Sequence, residues 1–227
     1  MRQYNLIRGD MKFQYKYGFY MLYLILIIFY IFALSLLKGN VKETTAIVMI
    51  FSDPATMGLF FMGAMVLLEK SEHITNAFAI SPVTSKEYII SKVVSIGIIS
   101  VLAGTLLSFQ MEQANVVVTI LVLFLSSAFF SLCGLIIGAN IRSVNQYIIA
   151  TLPVELFGFV PIILYFTLSK KEWLFLHPCY GMVDLIGGHY DHAVIAVISI
   201  LLWDLAAYLI AKRQVTKMFA RVGGVKL

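Results

Sequence analysis

The sequence predicts an all-α polytopic membrane protein with six transmembrane helices. Of its 227 residues, 60% are hydrophobic and only 13% are charged, and the mean hydropathy is +0.90. A soluble domain of this size has too much surface to hide so many apolar side chains, so lipid must be the main solvent. Six apolar runs approach the ~20 residues that cross the hydrocarbon core as a helix, and they lack the alternation of barrel strands. These runs are Gly18–Leu37, Ala46–Leu68, Tyr88–Phe109, Asn115–Ala139, Tyr147–Leu168 and His192–Ala211.

The distribution of basic residues predicts the orientation. Of the 17 Lys and Arg residues, 13 fall on the side of the membrane that holds both termini, and this side is cytoplasmic by the positive-inside rule. The chain is thus expected to be a multi-pass protein of the plasma membrane. Because the basic residues of this +5 chain flank apolar runs, membrane lipid is the expected counter-charge and nucleic acid is not.

The segments outside the predicted transmembrane domain, 18–211, are short. Residues 1–17 place Tyr4, Ile7, Met11 and Tyr15 at helical spacing, with basic residues every fourth position on another face. This pattern predicts an interfacial amphipathic helix, with a disordered basic leader as the alternative. Within the transmembrane domain, the semi-apolar outer loop 169–191 is expected to form short helices or a re-entrant element. Residues 212–227 form a basic cytoplasmic tail.

The polar segment 69–87, EKSEHITNAFAISPVTSKE, lies between the second and third runs on the cytoplasmic side. Glu69, Glu72 and His73 begin it, and an apolar face that includes Phe78 follows. These residues predict a short surface helix at the membrane. A solvated connector is the alternative.

The end of this segment carries signals for a helix stop and a new start. Ser81-Pro82 ends the first helix, because proline disfavours helical geometry in the residue before it. Thr84 or Ser85 then caps the next helix, with Glu87 in its first turn.

The chain lacks the motifs of common enzymes and nucleotide-binding proteins. The sequences GxxxxGK[ST], HExxH, GxSxG and CxxC do not occur, so we expect no enzyme activity, and any ATP must bind another chain. One group of residues superficially suggests a metal site, but its spacing does not place two ligands on one helical turn. A polar loop is the interpretation of His177, Cys179, His189, Asp191 and His192.

Acidic residues within apolar runs are costly in lipid and tend to face the bundle interior or water. Asp53 followed by Pro54 predicts an N-cap and first helical position that break the second run in its outer third, and a substrate contact is the alternative. Asp204, next to Trp203, is expected to pair with a basic or hydroxyl group of another helix.

Glu155 is the stronger candidate for a translocation pathway. It lies between Pro153 and Pro161, which kink a helix and free carbonyl groups. Thr151, Glu155 and Gly158 share one helical face. They either line a pathway or belong to a buried structural contact with a neighbouring helix.

The segment after the second run resembles the hallmark of ABC-2 type permeases, the membrane subunits of a class of ABC exporters. That family has an acidic residue at the end of the second span and an SPVS/T-x-x-E-Y signature before the third. The matching residues here are Glu69, Glu72, Ser81, Pro82, Val83, Thr84, Glu87, Tyr88 and Lys92. Small members of the family include subunits named as drug or fluoroquinolone exporters.

The resemblance implies a coupling helix, Glu69–Ile80, that docks on a separate subunit holding ATP and Mg²⁺. It also implies that two permeases, identical or different, pair to give twelve spans, with the second and fifth spans across the dimer axis. The residues implied in coupling are Glu69, Glu72, His73, Phe78, Ser81 and Pro82.

The predicted function is therefore the permease subunit of an ATP-driven exporter of unknown substrate. A proton-coupled secondary transporter using Glu155 and Asp204 is one alternative, although the chain has no internal repeat. A non-transport membrane protein of immunity type is the other.

Overall fold

The computed structural model describes residues 2–52, 56–112, 115–167 and 172–222, and all regular structure in these ranges is helical. The helices are α1 (Arg2–Lys16), α2 (Phe19–Ser35), α3 (Gly39–Ile50), α4 (Met57–Ser71), α5 (Ile74–Ile80), α6 (Ser85–Ser108), α7 (Val116–Asn140), α8 (Val144–Thr167), a 3₁₀ helix (Glu172–Leu176), α9 (Pro178–Ile186) and α10 (Ala193–Val222).

The amino-terminal helix α1 turns away from α2 by 65°. The bend falls at Gly18, whose φ of 76° lies in the left-handed region that glycine adopts without strain. Tyr4 and Tyr15 are exposed, while Asp10 and Gln14 are buried against the rest of the protein. A helix at residues 2–16 is present as expected, and its position in the membrane interface stays a prediction.

Four of the described helices, α6, α7, α8 and α10, are long and apolar enough to cross a membrane, and the bent pair α1–α2 makes a possible fifth. The second apolar run is divided between α3 and α4, with a π-helical turn at Phe51–Ser52. The expected break in this run is confirmed, whereas Asp53 and Pro54 lie outside the described residues. The prediction of six spans remains a prediction.

Helix α7 lies at the centre of the bundle and packs on α4, α6 and α10. Its contact with α4 depends on residues without side chains: a Cβ on Gly134 would lie 2.5 Å from the carbonyl oxygen of Leu59. The Tyr147 ring of α8 occupies the space beside Gly63, and its hydroxyl donates to the Leu59 carbonyl at 2.5 Å. The small residues near the end of α7 thus allow the close approach that small side chains give membrane helices.

The loop between α8 and α10 folds back into the bundle, in agreement with the expected short helices. All of α9 is buried, and it packs on α7, α8 and α10. Ser199 and Trp203 of α10 both donate to the carbonyl oxygen of Leu176, at 2.8 and 3.2 Å. The first part of the predicted tail, 212–227, is helical, because α10 continues to Val222. Met218 in this part is buried.

Candidate functional site

The segment 69–87 lies at what we call the basic end of the bundle, where α1, α5, the start of α6 and the carboxyl ends of α7 and α10 meet. Contacts between distant parts of the chain define this end. The Arg2 guanidinium of α1 lies 2.5 Å from the Glu87 carboxylate of α6. The Lys70 ammonium of α4 donates to the carbonyl oxygen of Gly138 in α7 at 2.7 Å.

Helix α5 has well-defined boundaries. His73 separates it from α4 with a left-handed φ of 58°, the sole positive φ of a non-glycine residue in the part of the chain that the structure describes. After Ser81-Pro82, Thr84 caps α6: its hydroxyl accepts from the Glu87 backbone N–H at 3.3 Å, and its own N–H donates to the Glu87 carboxylate at 2.9 Å. This reciprocal capping box confirms Thr84 as the cap and fixes the start of α6.

A buried charge cluster lies directly behind this segment, made of Asp10, Glu69, Tyr88, Ser91 and Lys92. The Lys92 side chain is 1% exposed, and its ammonium contacts Asp10 at 2.5 Å and also the Glu69 carboxylate. The Tyr88 hydroxyl donates to Glu69 at 2.6 Å, and the Ser91 hydroxyl donates to Asp10. The three charged groups come from α1, α4 and α6.

Ion pairs and hydrogen bonds within the charge cluster offset the cost of burying its charged groups. Removing a charged group from water costs several kcal/mol, which only close opposite charges and good hydrogen bonds offset. Here one ammonium lies between two carboxylates, and each carboxylate also accepts a hydroxyl hydrogen bond. Loss of the Lys92 ammonium would leave both carboxylates buried without a counter-charge, so this one group couples the positions of three helices.

Asp10, Gln14 and Ser91 belong to this site, although the sequence pattern did not single them out, and Asp10 and Gln14 come from α1. Gln14 extends the cluster by donating to the Ser95 hydroxyl of α6 at 2.9 Å. The two residues are one helical turn apart, so they share a face of α1. That spacing, together with Lys92 in an apolar helix that needs an acidic partner, was a usable signal.

The predicted coupling residues fall into two groups in the structure. Glu72 and His73 are exposed, as are Pro82 and Ile80, whose exposure reaches 86%. The Tyr17 hydroxyl donates to the Glu72 carboxylate, and this hydrogen bond raises the pKa of the Tyr17 phenol from its ordinary value. This group forms an exposed surface at the basic end.

The second group faces inward. Phe78 turns its ring toward Tyr88 and Phe219, with centroid distances of 5.3 and 6.4 Å, so α5 rests on α6 and α10 through aromatic contacts. Ser81 is half-buried and its hydroxyl donates to the Phe78 carbonyl at 2.9 Å. Glu69 is 2% exposed, which corrects the expectation that it lies on the docking surface: its carboxylate is required by Lys92.

The candidate pathway residues of α8 also differ in exposure, since two of them are buried and one is half-exposed. Thr151 is buried, with its hydroxyl donating to the Ile148 carbonyl at 2.8 Å, and Gly158 faces the Phe130 ring of α7. In this conformation both therefore belong to the interior of a single subunit. Glu155 is half-exposed at the edge of the same face, and Asp53 lies outside the described residues.

Asp204 differs from its expected structural role. One oxygen of its carboxyl group is buried, and no hydrogen-bond partner for that oxygen is found among the described residues. The expected pairing with a basic or hydroxyl group of another helix is therefore absent from this part of the structure.

Comparison with known proteins places this arrangement in a family. No curated protein sequence matches the chain. The chain does match the fluoroquinolones export permease protein family over residues 1–222, a range that includes α5, the charge cluster and every described helix. Together with its several apolar helices, this match makes the chain a multi-pass membrane protein of the fluoroquinolones export permease family.

Proposed function

We propose that this permease is the membrane subunit of an ATP-driven ABC exporter, in which the basic end is cytoplasmic and α5 docks on a separate ATP-binding subunit. The observation that carries the proposal is the placement of α5. It is a short helix with one exposed side, joined to α4 by two residues and packed through Phe78 on Tyr88 of the charge cluster, which connects α1, α4 and α6.

The contacts of α5 support a mechanical role. A partner that moves α5 also moves the end of α4, because only two residues separate the helices. Glu69 at the end of α4 is paired with Lys92, so the displacement is passed to α6 and, through Asp10, to α1. Docking energy at one surface is thereby converted into helix movement in the membrane.

The chemistry of ATP is assigned to the partner. This sequence has no phosphate-binding loop, so ATP and Mg²⁺ would be held by the ATP-binding subunit. We propose that two permeases, as a homodimer or a heterodimer, enclose the translocation pathway. The name of the family makes fluoroquinolones the first substrates to test.

Substitution of Ile80 by aspartate tests the docking surface. Because the side chain is 86% exposed, Ile80→Asp should leave folding intact, yet it places a charge in an interface core from which charged residues are depleted. We expect the variant to lose copurification with the ATP-binding subunit and to lose substrate-stimulated ATP hydrolysis.

The matched control is Val144→Asp, an exposed apolar residue at the same end of the bundle but in the first turn of α8. The control should retain both activities. Normal complex formation by Ile80→Asp would show that α5 is a connector rather than a docking helix.

A further inference from the structure

A cavity of about 440 Å³ opens at the basic end, beside α5. Its walls come from the ends of α4 and α7, the start of α5 and the last turns of α10. The side chains that matter for its chemistry are Leu67, Lys70, His73, Asn76, Arg142 and Met218. We call this space the basic cavity. The proposed coupling mechanism does not use it.

Lys70 supplies the basic cavity with a fixed positive charge. Its ammonium lies 2.7–2.9 Å from three backbone carbonyl oxygens at the end of α7, those of Gly138, Ala139 and Ile141. Unpaired carbonyl groups give a helix carboxyl end a partial negative charge. Lys70 therefore offsets this charge and contributes to the cavity through its field, with its hydrogen atoms directed at the carbonyl groups.

Arg142 supplies a second positive charge and the hydrogen-bond donors. Its side chain is exposed, and a planar guanidinium can donate bidentate hydrogen bonds to two oxygen atoms of a phosphate group. His73 and Asn76 add polar side chains to the lining. None of the described residues that line the cavity is acidic, so an anion would enter without repulsion from its walls.

The position of the basic cavity indicates which kind of anion it binds. It lies at the carboxyl end of α7, a helix long enough to cross the membrane, and this end is therefore at the level of the lipid headgroups. Leu67 and Met218 add apolar surface to the same space. Basic pockets between membrane helices on this side of a protein bind anionic headgroups.

We infer that the basic cavity is a binding site for the phosphate of an anionic phospholipid, held by the Arg142 guanidinium in the field of Lys70. An acidic side chain of a partner protein would meet the same charges, but the apolar wall and the headgroup level favour the lipid. The inference rests on the cytoplasmic orientation of the basic end in the proposed function, but the site itself requires neither ATP nor a partner subunit.

Native mass spectrometry of the purified chain tests the site. Protein exchanged into detergent with equal amounts of phosphatidylglycerol and phosphatidylcholine should retain phosphatidylglycerol preferentially. Arg142→Gln should weaken this retention roughly fivefold, the effect of one basic residue near a headgroup. Arg142→Lys keeps the charge but loses the planar guanidinium, so its retention of phosphatidylglycerol should lie between those of the wild type and Arg142→Gln.

The control is Arg213→Gln, an exposed arginine of α10 outside the cavity lining, which should bind like the wild type. Equal loss in both glutamine variants would assign the preference to general surface charge and overturn the site. Equal retention by wild type and Arg142→Gln would overturn it directly.

Two further measurements identify the occupant. If millimolar inorganic phosphate displaces phosphatidylglycerol and stabilises the protein equally well, the site takes free phosphate and the lipid assignment is wrong. If Arg142→Gln retains phosphatidylglycerol but loses copurification with the ATP-binding subunit, the cavity binds a protein side chain instead.

Discussion

At the residue scale, the Lys92 ammonium lies between carboxylates that belong to two other helices. It also lies 5.0 Å from the centre of the Tyr88 ring, so an aromatic face adds to its compensation. This position makes one side chain responsible for the electrostatic balance of α1, α4 and α6. Neither carboxylate has another cation in the charge cluster, so removal of the Lys92 charge should lower the stability of the protein measurably.

Replacement of Lys92 by methionine should strongly destabilise the protein. The substitution keeps an unbranched side chain of similar length but leaves Asp10 and Glu69 buried without a counter-charge. Breaking such a buried pair costs about 3–5 kcal/mol. Thermal unfolding in detergent should show a large fall in the midpoint, with loss of the monodisperse peak in size-exclusion chromatography.

Two variants separate charge from packing. Lys86→Met removes an exposed lysine from the first turn of the same helix and should leave the unfolding midpoint nearly unchanged. Combining Lys92→Met with Asp10→Asn and Glu69→Gln should recover much of the loss, since no buried charge remains. If Lys92→Met unfolds like Lys86→Met, the charge cluster does not stabilise the fold.

Sequence information was sufficient for part of this cluster. Glu69, Tyr88 and Lys92 could be selected because they lie in a recognisable segment between two apolar runs. Asp10 lies 59 residues before Glu69 along the chain, and its partners depend on the bend that brings α1 against α6. The spacing of Asp10 and Gln14 indicates a polar face on α1, but no local pattern beyond Gly18 specifies the bend, so the pairing of that face with Lys92 required the three-dimensional structure.

At the scale of elements, α4 and α7 approach each other so closely that a single added methyl group has no space. A Cβ on Gly134 would lie 2.5 Å from the Leu59 carbonyl oxygen, which is a backbone atom and cannot rotate away. We expect Gly134→Ala to lower stability by about 1–3 kcal/mol, the usual cost of overpacking. The unfolding midpoint in detergent measures this effect.

Gly9→Ala is the matched substitution in an open position. Nothing lies within 4 Å of a Cβ at Gly9, and alanine is favoured over glycine within a helix by about 1 kcal/mol. The midpoint of this variant should be unchanged or higher. A fall of equal size in both variants would mean that the α4–α7 contact is looser than the structure shows.

Helix existence was more predictable than helix continuity. The runs that became α6, α7, α8 and α10 are long and uniformly apolar, so their helices follow from composition and length. The break between α3 and α4 was also expected, from Ser52-Asp53-Pro54. The burial of α9 was not expected. A segment of nine residues is too short to show a clear hydrophobic periodicity, and the position of α9 results from its packing against α8 and α10.

At the scale of the whole molecule, α8 has a face that the single subunit leaves uncovered. Its outward residues include Leu152, Leu156 and Phe159, and Glu155 lies among them near the middle of the helix. A charged side chain at such depth costs about 2.5–3.5 kcal/mol in lipid. A second permease covering this face would remove Glu155 from lipid and place it beside the proposed pathway.

Cysteine cross-linking between two copies tests this arrangement. In a chain with Cys133 and Cys179 replaced by alanine, Leu156→Cys should form a covalent dimer in membranes with a short bifunctional thiol reagent. Leu156 is 65% exposed in the single subunit and is one residue from Glu155. Phe29→Cys on α2, with a similar exposure of 59%, serves as the control and should remain monomeric.

The cross-link also separates two roles for Glu155. If its carboxylate lines a pathway, adding Glu155→Gln should leave the Leu156→Cys cross-link intact while transport changes, because the amide keeps the size of the side chain but not its charge. If the carboxylate instead holds the two copies together, the cross-link should weaken with transport. Cross-linking at Phe29 but not at Leu156 would place the dimer contact on α2 and remove Glu155 from the pathway.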